Sequence, residues 1–143
     1  MKKLFVSLPM RGLSERDIRN RMNYLKTLVE VELGEEVILI DTFIKDEPDS
    51  KEINDVGLYY LGKSIEEMAY ADIVVFANGW MNARGCEVEY KAAVVYGVKI
   101  LYEDSLFYRK LVELCDKCDK YEESLSRIEY PIGNEGGPDE NNN

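Results

Sequence analysis

Arg84-Gly85-Cys86-Glu87-Val88-Glu89 is the stretch of this chain with most to offer chemistry. Two carboxylates stand behind a glycine where a helix pattern opens, and the positive end of a helix favours an ionised acid. They lie two residues apart, so they point to different sides and only one can face a ligand. Acids also complement the dipole of any first turn, and taken alone this pair needs no other explanation. The loop Ser7-Leu8-Pro9-Met10-Arg11-Gly12 is a second candidate. Arg11 and Gly12 precede a helix start, where free amides attract a phosphate or carboxylate. The first 26 residues carry a local charge of +5, although most of their arginines suit a solvated helix face. That loop has neither GxGxxG nor GxxxxGK[ST], so it is no dinucleotide fingerprint and no Walker loop. Trp80 with Phe43 offers an aromatic wall for a flat ring, or else ordinary core packing.

Composition narrows the chemistry further. There is no histidine among the 143 residues. Histidine triads, Cys-His dyads, histidine metal sites and histidine bases are thereby excluded, leaving carboxylates, Tyr, Lys, Ser and Cys. Lys and Arg number 18 against 28 Asp and Glu, a net charge of −10. Such a surface argues against non-specific binding to nucleic acid or to an anionic membrane. Cys115 and Cys118 have CxxC spacing, but a zinc site needs further ligands, and the pair lies within a helical pattern. They read as buried or half-buried helix cysteines, and no metal or cofactor is expected. Pro9, Arg11 and Gly12 interrupt any signal-peptide core, no run approaches a membrane span, and the odd cysteine count suits a reduced compartment. A cytoplasmic location is expected.

The elements that must position these residues follow from periodicity. Leu4 to Leu8 reads as a strand, and Ser14-Glu15-Arg16-Asp17 as a capping box opening a helix through Ile18, Met22, Leu25 and Val29 to Gly34. Val37 to Ile40 is a continuous apolar run, read as a strand buried on both faces and ending at Asp41-Thr42-Phe43. Lys45 to Asn54 reads as a loop. Leu58, Leu61, Ile65, Met68 and Ala69 describe a second amphipathic helix. Asp72 to Ala77 is another buried strand, followed by Asn78-Gly79-Trp80. A helix from about Arg84 to Tyr96 stops at Gly97, and Val98 to Tyr102 is a fourth strand nearer an edge. The fold class is therefore α/β, a doubly wound (flavodoxin- or Rossmann-like) mostly parallel sheet of four to five strands, plus a long C-terminal helix. Ligands of such sheets bind beyond the carboxyl ends of the strands.

That last helix runs from about Asp104 to Ile128. Phe107, Leu111, Leu114, Cys118, Tyr121, Leu125 and Ile128 repeat at alternating spacings of 4 and 3, a seam of coiled-coil type. Packing on its own sheet would need only a few of these positions, so the seam points to a homo-oligomer, a dimer or larger. The expected organisation is an α/β domain over 1–103, a helix for oligomerisation over 104–130 and a disordered acidic tail over 131–143.

The block from Asp72 through Glu89, continued by Ala92 and Gly97, resembles the central segment of the nucleoside 2-deoxyribosyltransferase superfamily. Phe5-Val6-Ser7-Leu8-Pro9-Met10-Arg11-Gly12 is similar to its first loop. The nearest likeness is to a deoxyribosyltransferase-like branch of unknown function, frequent in bacteria and their phages. It spans about residues 3 to 102. The resemblance implies that Glu89, four residues after Gly85, is the nucleophile that attacks the anomeric carbon of a nucleoside. It implies a substrate-binding set of Ser7, Pro9, Met10, Arg11, Gly12, Asp41, Phe43, Ser64, Asn78, Gly79, Trp80, Arg84 and Gly85. Within it the first loop would hold the sugar or a 5′-phosphate, and Asp41, Phe43, Asn78 and Trp80 would border the base.

Two positions depart from the superfamily's pattern. Ala83 stands where active members carry Asp or Ser, and Ser64 where an aspartate assists the leaving base; a hydroxyl cannot protonate a purine as a carboxylic acid can. Two readings follow. One is cleavage of a nucleoside or nucleotide N-glycosidic bond, or 2-deoxyribosyl transfer, through a glutamate nucleophile. The other is binding or sequestration of a nucleotide or an ADP-ribose-like signal in the same crevice, without catalysis.

Overall fold

Four apolar runs become strands β1 (Lys2–Ser7), β2 (Val37–Leu39), β3 (Ile73–Phe76) and β4 (Lys99–Tyr102) in the computed structural model, which describes residues 1–43 and 52–126. Helices α1 (Glu15–Leu33), α2 (Val56–Met68), α3 (Arg84–Val95) and α4 (Glu103–Ser126) alternate with them, and a 3-10 turn at Trp80–Asn82 precedes α3. Every strand pairing is parallel, in the order β2-β1-β3-β4. The fold is α/β and doubly wound.

Alternation along β1 divides the core. Leu4 and Val6 join Ile18, Met22, Leu25 and Val29 of α1, with Leu106 of α4, on one face of the sheet. Phe5 points the other way, to Val74, Phe76, Met68 of α2 and Ala93 of α3. The reason lies in the strand order. The chain moves from β1 to β2 in one direction and from β2 past β1 to β3 and β4 in the other, and crossovers of one hand then fall on opposite faces. The reversal lies between β1 and β3.

Local signals act as the residue types dictate. The Ser14 hydroxyl accepts from the Asp17 N–H at 3.1 Å and caps α1, and Gly34, at φ +67°, ends it. Asp55 caps α2 by accepting from the Leu58 N–H at 2.9 Å. No helix among the described residues is long and apolar enough to cross a membrane.

Four expectations are corrected. β2 is not buried on both faces: it is an edge strand, and Ile38 is 43% exposed. Leu58 is not part of the packed stripe of α2, being 66% exposed. At about 100° per residue it falls at the edge of the arc that 57, 61, 64, 65 and 68 occupy, about 75° from the arc's centre. In α4 the buried apolar side chain among the described residues is Leu106, while Phe107 of the expected seam is 48% exposed. Cys115 and Cys118 are exposed, not buried.

The chain divides into two units, Met1–Lys110 and Leu111–Asn143, so the first turns of α4 belong with the sheet. The described part of the second unit is a single helix, with nothing in it to cover a side chain, and residues 111–120 are all exposed. Residues 45–51 of the expected loop, Ile128, and the expected tail lie outside the described residues.

Candidate functional site

The site is built at the reversal point of the sheet. β1 ends at Ser7, a buried polar residue whose hydroxyl donates to Oε2 of Glu89 at 2.5 Å. Ser64, on α2, donates to Oε1 of the same carboxylate, also at 2.5 Å. Three elements thus converge on one acid. The choice between the two acids of α3 is made by helix geometry. Cys86, Glu89 and Ala93 form its buried stripe at spacings of 3 and 4, and Glu87 is exposed.

Glu89 is only 7% exposed, and burial pushes its carboxyl above the usual range, against the two serine hydrogen bonds that favour the charged form. This revises the expected electrostatics. Glu89 is the sixth residue of α3, beyond the first turn where the dipole acts, and desolvation is the larger influence.

The carboxylate opens on a cavity of about 360 Å³, within the range of small-molecule sites. Val6, Leu8 and Ile18 supply apolar walls; Met10 and Phe43 come from the loops after β1 and β2; Gly57, Tyr60, Leu61 and Ser64 come from α2. Thr42, Gly85 and Cys86 complete it with Glu89. Of the expected site residues, then, Ser7, Ser64 and Glu89 meet directly, and Met10, Phe43 and Gly85 share their cavity.

The others stand elsewhere. Arg11 and Gly12 are exposed and Arg84 is exposed at the start of α3; none of them lines the cavity. Pro9 lies beside Gly79, whose φ of +86° turns the chain into the 3-10 helix. Asp41 is outside the cavity and acts on its wall. It accepts from the Phe43 N–H at 3.1 Å and from Arg19 at 3.4 Å, and the Arg19 guanidinium lies 5.4 Å from the Phe43 ring centre. Ala83 is the residue before α3 and gives that helix no side-chain cap.

Trp80 and Phe43 do not form one wall. Trp80 packs on Tyr90, with ring centres 4.5 Å apart, and on Phe76 at 5.1 Å, on the face of the sheet opposite to the cluster that Phe43 joins. Tyr102 extends this group, and its bond to the Tyr90 hydroxyl pushes its phenol up to about 12. The aromatic count near the strand ends was legible, but which face each ring takes depends on strand pleat and turn geometry.

Several participants escaped the sequence reading. Thr42 sits between two residues it did select. Gly57, Tyr60 and Leu61 recur at helical spacing with Ser64, which it did select, a pattern that marks one face of α2. Gly57 to Ser64 also matches the letters GxxxxGK[ST], but it lies inside a continuous helix, and the phosphate loop this motif requires is not formed there. Glu103, only 4% exposed, accepts from Arg21 at 2.6 Å and from the Asn78 N–H at 2.7 Å. It ties the loop after β3 to α1, so Asn78 is engaged through its backbone. No distant pairing of this kind has a sequence signal.

Cys86 is buried beside Glu89, and burial pushes its thiol up to about 11. It is no nucleophile at neutral pH. Iodoacetamide at pH 8 is expected to modify the exposed Cys115 and Cys118 and to spare Cys86 until denaturant is added, as mass spectrometry of the intact chain would register.

Among the described residues no group of His, Cys, Asp and Glu could hold a metal ion. Compared with known proteins, the chain matches no family model and no curated protein. A crystal structure of a conserved protein from Enterococcus faecalis V583 is similar at 17% identity and a TM-score of 0.48. The match covers 71% of this chain and 62% of that one, so this chain spans less than two thirds of that protein's length.

Proposed function

We propose that this chain breaks the N-glycosidic bond of a nucleoside or nucleotide, with Glu89 as the nucleophile. The single observation that carries the reading is a buried carboxylate held at both oxygens by serine hydroxyls and lining a cavity at the reversal point of the sheet. Carboxylates are the nucleophiles of glycosyl chemistry, and this one needs no histidine to activate it. In the first step a Glu89 oxygen bonds to C1′ as the C1′–N bond breaks. The base leaves with the bonding electron pair and takes a proton from water. In the second step water, or another base, attacks C1′, the ester bond returns its electrons to the carboxylate, and the attacking group's proton passes to solvent.

Ser7 and Ser64 hold the carboxylate plane against rotation, which keeps one oxygen lone pair on each side available to the ligand. The raised pKa gives this mechanism a direction with pH. The nucleophile works ionised, so the acid limb of the rate profile lies above the ordinary carboxylate range. The test is incubation with a panel of 2′-deoxynucleosides and their 5′-monophosphates, followed by rapid acid quench and peptide mass spectrometry. The expected result is free base together with a sugar ester on Glu89; an unmodified Glu89 with every substrate returned whole rejects the reading.

Ser64 favours the second reading, capture without turnover, because no carboxylic acid other than Glu89 lines the cavity among the described residues. Self-association belongs to the same proposal. Phe107, Leu111 and Leu114 are 48%, 43% and 48% exposed at spacings of 4 and 3 along α4. Light scattering at micromolar concentration is expected to give at least a dimer's mass, and a monomer's mass rejects it.

A further inference from the structure

Beyond Lys110 the described chain is a single helix, and residues 111–120 of α4 are all exposed. Propensity alone holds such a stretch weakly, because most helical stability in proteins comes from packing an apolar face on a partner. This stretch has that face. Leu111, Leu114 and Cys118 follow one another at spacings of 3 and 4, and the sequence continues the series with Tyr121 and Leu125. In a heptad a precedes d by three residues. Leu111, Cys118 and Leu125 therefore take a, while Leu114 and Tyr121 take d.

The flanking positions decide how two such faces meet. Lys110 and Lys117 stand at g, with Cys115 and Glu122 at e. Antiparallel helices bring g against g, which would set lysine against lysine. Parallel helices bring g against the next e of the other helix, which pairs Lys117 with a glutamate. The bond of Lys117 to Glu113, at 2.7 Å, does not compete strongly, since it is an exposed i,i+4 pair of a kind worth little. The charge pattern thus complements a second copy of this helix laid parallel to the first.

Deepening the self-association proposed above, on which it rests, we propose that two copies pair through α4 as a parallel, in-register coiled coil. Cys118 of one copy then faces Cys118 of the other across the axis, because in register each a position meets its own counterpart. Cys115, at e, lies to the side, near g of the other helix and away from its own counterpart. An antiparallel pair would do the reverse, setting a against d and e against e.

The test is disulfide trapping in the full chain at micromolar concentration, comparing Cys115→Ser with Cys118→Ser. Diamide, an azo oxidant, takes two electrons and two protons from a pair of thiols and is reduced to its hydrazine. The S–S bond forms only where the two Cα atoms come within about 7 Å. Cys115→Ser, which keeps Cys118, is expected to give about 10-fold more covalent dimer on non-reducing gels than Cys118→Ser. The remaining thiol, Cys86, is buried. Iodoacetamide is expected to label Cys115 faster than Cys118 in the native pair, and both in the end. Lys117→Glu is expected to cut the trapped dimer about threefold, and Lys117→Glu with Glu122→Lys to restore it.

Trapping through Cys115 in place of Cys118, equal yields from both, or no trapping at all overturns the parallel pairing. So does a Lys117→Glu variant that traps as well as the wild type. Where light scattering still gives a dimer's mass in those cases, self-association stands without this arrangement; a monomer's mass with no trapped dimer removes both.

Discussion

Glu89→Gln is expected to lower base release by about 10³-fold or more while the protein stays folded. The amide keeps the shape of the acid, and the Ser7 and Ser64 hydroxyls can turn to donate to its oxygen or accept from its nitrogen. What is lost is the electron pair that attacks carbon. The same substitution is expected to raise the melting temperature by a few degrees near neutral pH.

The sign follows from the direction of the pKa shift. In the native state Glu89 holds its proton to higher pH than in the unfolded chain, whose value is about 4.5. Its contribution to stability is therefore fully present below that value and is lost as pH rises through the raised native pKa. Glutamine carries no such loss. The gain of the variant should thus vanish in acid and grow to a plateau above the native pKa. Melting curves of both proteins between pH 4 and 8 check this, and a variant less stable than the wild type at pH 7.5 would mean that the serine bonds outweigh desolvation.

Trp80→Ala is expected to reduce stability by about 2–3 kcal/mol and to leave nucleoside affinity within about twofold, below the variant's melting temperature. The indole packs on Phe76, Tyr90 and Tyr102 and is absent from the cavity lining, so its loss removes core contacts and not ligand contacts. It is only half-buried, which holds the expected cost below that of a fully buried tryptophan. Urea unfolding read by circular dichroism gives the first quantity and calorimetry the second. An affinity loss of 10-fold or more in a well-folded variant would return Trp80 to the ligand's side.

The two predictions separate what local pattern announces from what three-dimensional packing assigns. The parallel sheet was legible because strand and helix periods alternate, and few architectures accept that order. The edge position of β2 was not. Val37 to Ile40 is as apolar as a central strand, yet β2 has a neighbour on one side only, and Ile38 faces outward. A run of hydrophobic letters reports the affinity of a segment for the core, without reporting how many neighbours it will have.

At the site, Glu89 and Ser7 were singled out by the resemblance, which chose between two acids that type and spacing left open, and Ser64 by its departure from that pattern. That their side chains meet is a property of strand order and helix rotation, which bring residues 25 and 82 positions apart onto one carboxylate. Arg11 shows the converse. Its type and loop suit an anion, but it is exposed and stands outside the cavity lining.

By itself, then, the sequence determined the class of fold, the capping of α1, and the restriction of catalysis to groups other than histidine. These depend on local conformational preference and on which side chains exist at all. Only the tertiary structure decided that Glu89 is desolvated, that Trp80 and Phe43 serve opposite faces of the sheet, and that the Thr42 hydroxyl is left unpartnered among the described residues. Desolvation, facing and hydrogen-bond completion are sums over neighbours distant in the chain, and they acquire values only when the chain has closed around them.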